Sequence, residues 1–210
     1  MGIESTILLL LVLIMSVVIH EVSHGYAAEY LGDPTARLAG RLTLNPIPHI
    51  DPIGSLLVPI TMLVMTGGQA AFGWAKPVPY NPSNLKNERW GTVFVGSAGV
   101  LANLFLALVF GLIIRFGIQL EIGGTALYQA AITIVMINLV LAVFNMIPIP
   151  PLDGSKVLFA ALSYRYHEIL ALLERYSLFA LLIVIFFGWD LVISPIVSFL
   201  FSLITGLGFG

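Results

Sequence analysis

The sequence predicts an α-helical protein that crosses a membrane several times. Of its 210 residues, 59% are apolar and only 10% are charged, whereas soluble domains carry about 25% charged residues. The mean hydropathy of +1.01 and several apolar runs of bilayer length support the same class. The lack of cysteine excludes disulfides and thiolate metal sites, and a net charge of −2 argues against a nucleic-acid-binding surface.

Three apolar segments predict a three-helix membrane core. The first begins near Ile7 and continues to Tyr30, where Leu31-Gly32-Asp33-Pro34 ends it. It has no basic leader region and no small-residue cleavage site, so we expect a retained membrane helix and not a signal peptide. The second segment covers residues 92–116, and the third covers residues 125–147 and ends at a proline-rich stretch.

The C-terminal part predicts accessory helices. Residues 153–175 are mixed in character, as is typical of interfacial helices. Residues 177–188 and 191–207 are apolar runs on either side of Trp189-Asp190, and the first is short for a span, which needs about 20 residues. If the two runs form a hairpin, the C-terminus lies on the cytoplasmic side. We expect one domain over residues 1–210, with a core at about 5–160 and accessory helices at about 161–207.

The stretch between the first two spans predicts membrane-associated backbone that does not cross the bilayer. Residues 56–66 are apolar but too short to span. Irregular backbone is tolerated at membrane depth only where protein or a wet cavity satisfies its polar groups. We therefore expect re-entrant structure with short strands here. Prolines recur throughout this stretch: Pro34, Pro46, Pro48, Pro52, Pro59, Pro77, Pro79 and Pro82.

The distribution of Lys and Arg predicts the orientation in the membrane. Only Arg115 lies beyond the second span, on the side opposite the other basic residues. Positive residues mark the cytoplasmic side, so we expect the N-terminus outside. The basic residues on the predicted cytoplasmic side are Arg37, Arg41, Lys76, Lys86, Arg89, Lys156, Arg165 and Arg175.

The first span contains the motif His20-Glu21-Val22-Ser23-His24. The i, i+4 spacing places both imidazoles on one helix face, where two ligands can reach one zinc ion. In this H-E-x-x-H pattern, Glu21 is the candidate general base. His20 lies about 20 Å along the helix from Ile7, which places the site roughly 10 Å from the cytoplasmic edge. A polar helix interface or a proton relay is the alternative, although ionisable groups in membrane spans are usually functional.

A catalytic zinc usually has three protein ligands and one open position. The candidates for the third ligand are His49, His167, Asp51 and Asp153. Asp153 follows a helix that ends in prolines, on the same predicted side as His24. The residues alone equally allow Asp153 to be a simple cap of the next helix.

Two motifs together resemble the paired signatures of the site-2 protease family of intramembrane zinc metalloproteases. They are His20-Glu21-Val22-Ser23-His24 and Asn145-x-x-Pro148-x-Pro150-x-Leu152-Asp153-Gly154. In addition, Gly99-Val100-Leu101-Ala102-Asn103 is similar to the family's Gly-x-x-x-Asn element. The resemblance covers about residues 5–160 and is to the compact bacterial type that carries no PDZ domain.

The resemblance implies a role for each matching residue. Glu21 would act as general base. Asn145 and Asn103 would contact the substrate backbone or the oxyanion. One Zn²⁺ ion would be held by His20, His24 and Asp153.

The resemblance also bears on the region between the motifs. Residues 42–46 and 72–82 resemble segments that form membrane-dipping strands in bacterial relatives. A substrate could pair with the edge at Trp74, Lys76 and Val78 by strand addition, and the neighbouring prolines are compatible with an edge. A plain amphipathic loop is the alternative. His49 is either a residue at the mouth of the site or a structural histidine.

The function implied is regulated intramembrane proteolysis of a transmembrane protein or a signal-peptide remnant. The substrate helix would unwind locally, because a helical peptide bond is shielded. The protein would lie in the bilayer of a bacterial cell membrane as a multi-pass protein, with its active site toward the cytoplasm. A membrane metal-ion transporter that uses the His/Asp cluster is the alternative, but the ionisable residues cluster near one side and do not line a path. A degenerate scaffold is a third possibility, although every motif residue is present.

Overall fold

The computed structural model describes residues 2–65, 67, 73–117, 124–162 and 172–208. Its α-helices are α1 (Ile3–Tyr30), α2 (Thr35–Leu38), α3 (Val58–Met65), α4 (Glu88–Gly117), α5 (Ala126–Asn145), α6 (Asp153–Ala161), α7 (Ser177–Ile183) and α8 (Ser194–Thr205). Two π-helical segments, Pro52–Leu57 and Val184–Ile193, lead into α3 and join α7 to α8. Short 3-10 turns occur at Ile47–His49 and Pro82–Asn84.

Four helices in the described part of the chain are long and apolar enough to cross a membrane. They are Ile3–Tyr30, Glu88–Gly117, Ala126–Asn145 and Phe179–Thr205. The helical membrane class predicted from the sequence is therefore confirmed, and the first three spans are the predicted ones.

The two C-terminal apolar runs form one span, so the hairpin considered above is wrong. The π-helical segment carries the backbone hydrogen bonding through Trp189-Asp190, and the chain therefore does not turn there. At the far end, Arg115 Nη1 donates to the carbonyl oxygens of Leu203 (3.0 Å) and Ile204 (3.4 Å). The end of α8 thus lies beside the end of α4, on the side opposite the predicted cytoplasmic face.

Helix α4 is the centre of the bundle, because it packs against α1, α5, α6 and α8. Glycine permits close approach to α8: a Cβ at Gly111 would lie 2.3 Å from Ile204 Cγ2. The core formed by α4, α5 and the C-terminal span contains Ala107, Ile114, Tyr128, Ala131, Val135, Leu139, Ile193, Val197 and Phe201. This core anchors the helices whose other ends build the site.

A buried polar pair fixes α1 against α5. Asn138 Nδ2 donates to Ser16 Oγ at 2.9 Å, and both residues are buried. Hydrogen bonds between membrane helices contribute about 0.6 kcal/mol on average and up to about 1.7 kcal/mol. Because Ser16 lies one turn before His20, this contact also sets the rotation of the helix face that carries the histidines.

The connecting segment, residues 31–87, contains no β-strand among its described residues, so the short strands predicted here are not observed. Residues 73–81 have no helix or strand assignment, and their peptide groups bond to loop carbonyls and side chains. Trp74 N donates to Gly54 O (3.1 Å), and Lys76 N donates to His49 O (2.9 Å). Pro77 and Pro79 have no N–H, which prevents a continuous ladder on the other edge. Phe72 lies outside the described residues.

Candidate metal centre

Helix α1 carries both motif histidines on its buried face. Its residues from Ile7 to Ile19 are almost all apolar, and the helix continues without a break until Leu31 and Gly32, where Gly32 has φ +108°. His20 and His24 are each 5% exposed, and their rings meet edge to face with centroids 4.7 Å apart. Their Nε2 atoms are 3.1 Å apart, as the i, i+4 spacing predicts.

Asp153 is the first residue of α6 and faces the two histidines. Its Oδ2 lies 2.9 Å from His20 Nε2 and 3.0 Å from His24 Nε2. A Cβ at Gly154 would lie 2.2 Å from Met146 O, so only glycine lets α6 begin directly against the end of α5. The structure therefore brings Asp153 into the cluster more than a hundred residues after the histidine motif. Asp153, His20 and His24 are together called the metal cluster.

Lys156 completes the surroundings of Asp153 and was not identified from the sequence. Its Nζ donates to Asp153 Oδ1 at 2.8 Å, one turn further along α6. Burial alone would raise the pKa of Asp153, but the close contacts of Oδ2 with the two imidazoles and the charge of Lys156 hold it well below its ordinary value. The i, i+3 spacing of Asp and Lys was the available signal.

Two groups on α4 orient the histidines through contacts with their Nδ1 atoms. His24 Nδ1 lies 2.7 Å from Val95 O, so its N–H donates to this carbonyl and leaves Nε2 for a ligand. His20 Nδ1 lies 3.2 Å from the amide of Asn103, which is fully buried. Asn103 Oδ1 has no hydrogen-bond partner among the described residues. Rotating this amide by half a turn places the oxygen against His20 Nδ1–H.

Gly99 has no side chain and so leaves a cradle beside the Nε2 atoms of the two histidines. A Cβ at this position would lie 2.6 Å from His20 Cε1, His20 Nε2 and His24 Nε2. Two imidazole nitrogens and one carboxylate oxygen form a donor set typical of catalytic zinc. The cradle at Gly99, which a Cβ would fill, and the contacts of both Nδ1 atoms with α4 fit an ion held by the three converging atoms.

Glu21 lies next to the cluster but is bound to a different part of the chain. Its Oε2 accepts a hydrogen bond from the peptide N–H of Val78 at 2.9 Å. Val78 is buried, whereas Trp74 and Lys76 are exposed. The peptide N–H groups of all three predicted docking residues therefore donate into the protein.

Other candidates from the sequence lie elsewhere. Asn145 Nδ2 donates to Leu141 O at 3.0 Å, so this amide is engaged within its own helix. Asp51 Oδ1 caps the π-helical segment by accepting from Ile53 N (3.0 Å) and Gly54 N (2.6 Å). His167 lies outside the described residues.

His49 is buried in the connecting segment and engages both ring nitrogens there. Its Nε2 lies 3.0 Å from Thr43 O, and its Nδ1 lies 3.4 Å from Arg41 Nη2. This geometry favours a structural histidine over a residue at the mouth of the site.

Comparison with known proteins assigns the family. A model described as Peptidase family M50 matches residues 118–188. The chain is 40% identical over 155 residues to the putative zinc metalloprotease YwhC of Bacillus subtilis, an alignment that covers 71% of this chain and 67% of that protein. The chain belongs to the site-2 protease family, peptidase family M50. The family's activity makes this chain a zinc metalloprotease, and the resemblance seen in the motifs is confirmed.

Two further M50 relatives are more distant and longer. The putative zinc metalloprotease Rip2 of Mycolicibacterium smegmatis is 30% identical over 146 residues, covering 69% of this chain and 53% of the relative. The zinc metalloprotease MJ0392 of Methanocaldococcus jannaschii is 28% identical over 158 residues, covering 75% of this chain and 35% of the relative. No solved structure matches the chain. The protease names of these relatives do not favour the metal-ion transporter considered from the sequence.

Proposed function

We propose that this M50 protein cleaves a peptide bond within a transmembrane segment of another protein or a signal-peptide remnant. One zinc ion would be held by His20, His24 and Asp153. The observation that carries this proposal is the convergence of their Nε2 and Oδ2 atoms, 2.9–3.1 Å from one another, in a buried site between membrane helices.

The reaction proposed is hydrolysis with Glu21 as general base. When bound, zinc supplies the Lewis acidity that polarises a carbonyl and makes water nucleophilic near neutral pH. Glu21 takes the proton from the attacking water and later delivers it to the leaving amine. The low exposure of the three ligands keeps bulk solvent away from these charges, which strengthens their interactions.

The two asparagines have different supporting geometry. Asn103 is supported as the group that orients His20, because its amide already lies against His20 Nδ1. Asn145 remains the candidate for contact with the substrate backbone or the oxyanion. It would have to release the hydrogen bond to Leu141 O to do so.

Residues 73–81 are the proposed docking edge for an unwound substrate. Because Trp74, Lys76 and Val78 direct their N–H groups into the protein, a substrate strand would meet the opposite edge. If the segment pairs with substrate as a strand, alternation would put the peptide group of Ala75 and the carbonyls of Pro77 and Pro79 on that edge. The side chains of Trp74 and Lys76 are exposed beside it.

The setting proposed is a bacterial cell membrane with the metal cluster facing the cytoplasm. The support is the positive-inside rule together with the position of Arg115 at the other end of α4. Residues 1–210 would act as one metalloprotease domain, because α4 packs against both the N-terminal helix and the C-terminal span.

The test is cleavage of a model transmembrane substrate in liposomes that contain the full chain. Glu21→Gln should reduce cleavage by at least about 100-fold, because the general base is removed, while bound zinc stays at one ion per chain. Ser23→Ala is the matched control on the same helix, since Ser23 Oγ bonds only to Ile19 O one turn back among the contacts described. Unreduced cleavage by Glu21→Gln would contradict the proposed mechanism.

A further inference from the structure

One peptide group outside the metal cluster contacts the proposed general base. Val78 N donates to Glu21 Oε2 at 2.9 Å, across 57 residues of sequence. Val78 stands between Pro77 and Pro79, and proline has no peptide N–H. The three-residue stretch therefore has a single peptide donor, and this donor is directed at Glu21.

The segment that carries this donor is fixed on both sides of Val78. Lys76 N donates to His49 O (2.9 Å), and Lys76 O accepts from Arg41 Nη2 (2.7 Å). Asn81 N donates to Asp33 Oδ2 (2.6 Å). Because these contacts are made to buried residues, the position of the donor is set by the fold and does not depend on Glu21.

The side chain of Val78 fixes the same segment against α1. Val78 is 5% exposed, and a Cβ at Gly25 would lie only 2.9 Å from its Cγ1. Gly25 lies one turn after Glu21, so the two positions share one face of α1. The segment thus rests directly on the helix surface that carries Glu21.

We propose that the peptide N–H of Val78 is a positioning group for the general base, an inference that rests on the proposed function. Holding Oε2 removes most of the rotamer freedom of the Glu21 side chain and leaves Oε1 as the oxygen that takes the proton. A hydrogen bond to a carboxylate is stronger than one between neutral groups. Glu21 is therefore oriented before the substrate arrives, which lowers the entropic part of the barrier.

The test removes this one N–H from the full, zinc-loaded chain in liposomes. Val78→Pro deletes the donor in a stretch whose neighbours are already prolines, while Val78→Ala keeps the donor and trims the side chain. Val78→Pro should lower kcat by about 10- to 100-fold, since small misplacements of a reacting group cost this much. KM should stay within about threefold, and bound zinc should stay at one ion per chain, because Glu21 is not a proposed ligand.

A second replacement removes the same N–H without a proline ring, so the test does not depend on whether Val78→Pro folds. Substituting the residue at position 78 by its α-hydroxy acid removes the same N–H and keeps the valine side chain, so it should reproduce the loss in kcat. In the Glu21→Gln background, neither replacement should lower the residual rate further, because the donor acts through Glu21.

Two results would overturn the inference. One is a kcat of the ester variant, which keeps the valine side chain, equal to that of the wild type, and the other is a loss of zinc from the ester variant. In each case an inactive Glu21→Gln that still holds zinc leaves the proposed function standing. An active Glu21→Gln would instead remove the proposed function and this inference with it.

Discussion

Buried histidines occur in two regions of this protein and are used in opposite ways. In the metal cluster, each imidazole has one nitrogen held by α4 and the other turned toward a shared centre. His24 Nδ1 meets Val95 O (2.7 Å), His20 Nδ1 meets the Asn103 amide (3.2 Å), and both Nε2 atoms face Asp153.

In the connecting segment, both ring nitrogens of His49 contact residues of that same segment. Thr43 O and Arg41 engage them, and the peptide oxygen of His49 accepts from Lys76 N. Burial alone therefore does not identify a metal ligand. The deciding feature is that one ring nitrogen converges with other possible ligand atoms while the other nitrogen of the same ring makes a hydrogen bond to the protein.

The largest effect that tests this comparison is expected at Asp153. Removing a residue that merely supports a metal ligand lowers metal affinity or activity about 10- to 100-fold. Asp153→Ala removes a proposed ligand itself, so it should lower zinc affinity and cleavage by more than about 100-fold. His49→Ala should keep one zinc per chain and lose about 1–3 kcal/mol of unfolding free energy, because buried partners are left unsatisfied. Zinc content by atomic absorption and denaturant unfolding measure the two quantities. Zinc loss in His49→Ala with zinc retained in Asp153→Ala would reverse the two assignments.

A smaller effect is expected from adding one methyl group to α4. Gly99→Ala places a Cβ 2.6 Å from both Nε2 atoms and should weaken zinc binding by at least about tenfold, since rigid packing around the site cannot relax freely. Gly96→Ala is the matched control three residues earlier, where the nearest atom is Lys156 Cβ at 3.3 Å. Competition with a zinc chelator gives the affinities. Equal affinities for the two variants would mean that the cradle at Gly99 is not where the ion lies.

The metal cluster was largely predictable because its signals are local in sequence. The i, i+4 spacing in α1 predicts two ligands, whereas Asp153 was distinguished from a simple helix cap only by the resemblance of the second motif to the family. The contacts of Asn103, Lys156 and Val78 were not predictable, since each depends on how separate segments pack. Spacing along one helix determines a face but says nothing about which distant peptide group meets it.

Two predictions from the sequence, the C-terminal hairpin and the strand in the connecting segment, are wrong for physical reasons. Trp189-Asp190 interrupts the hydrophobic pattern and indicated a turn, but π-helical hydrogen bonding carries the backbone through it. The resemblance of residues 72–82 to membrane-dipping segments of bacterial relatives indicated a strand. Its peptide groups are instead taken by Gly54, His49 and Glu21, and the prolines leave too few donors for a second ladder.

The two regions also differ in how they hold a buried carboxylate, and Asp33 is the counterpart of Asp153. Its oxygens accept from Asn81 N (2.6 Å), Asn84 Nδ2 (2.8 Å) and the peptide N–H of Thr35 (3.2 Å). Burial alone would raise the pKa of Asp33, but these donors and the Thr35 hydroxyl more than offset it and hold the pKa below its ordinary value. Every donor belongs to the protein backbone or an amide or hydroxyl side chain, so this carboxylate braces the connecting segment.

The smallest effect should therefore be a pH-dependent loss of stability in Asp33→Asn. An amide cannot accept from all these donors, so unfolding free energy at pH 7 should fall by about 1–3 kcal/mol. A pKa lowered by folding stabilises the protein above the unfolded value of about 3.9 and loses this contribution as the pH falls through the folded value. The gap between wild type and Asp33→Asn, measured by denaturant unfolding in detergent, should stay constant above about pH 5 and shrink below about pH 4. A gap that does not change down to pH 3 would show that the Asp33 carboxylate is not held in its charged form by these donors.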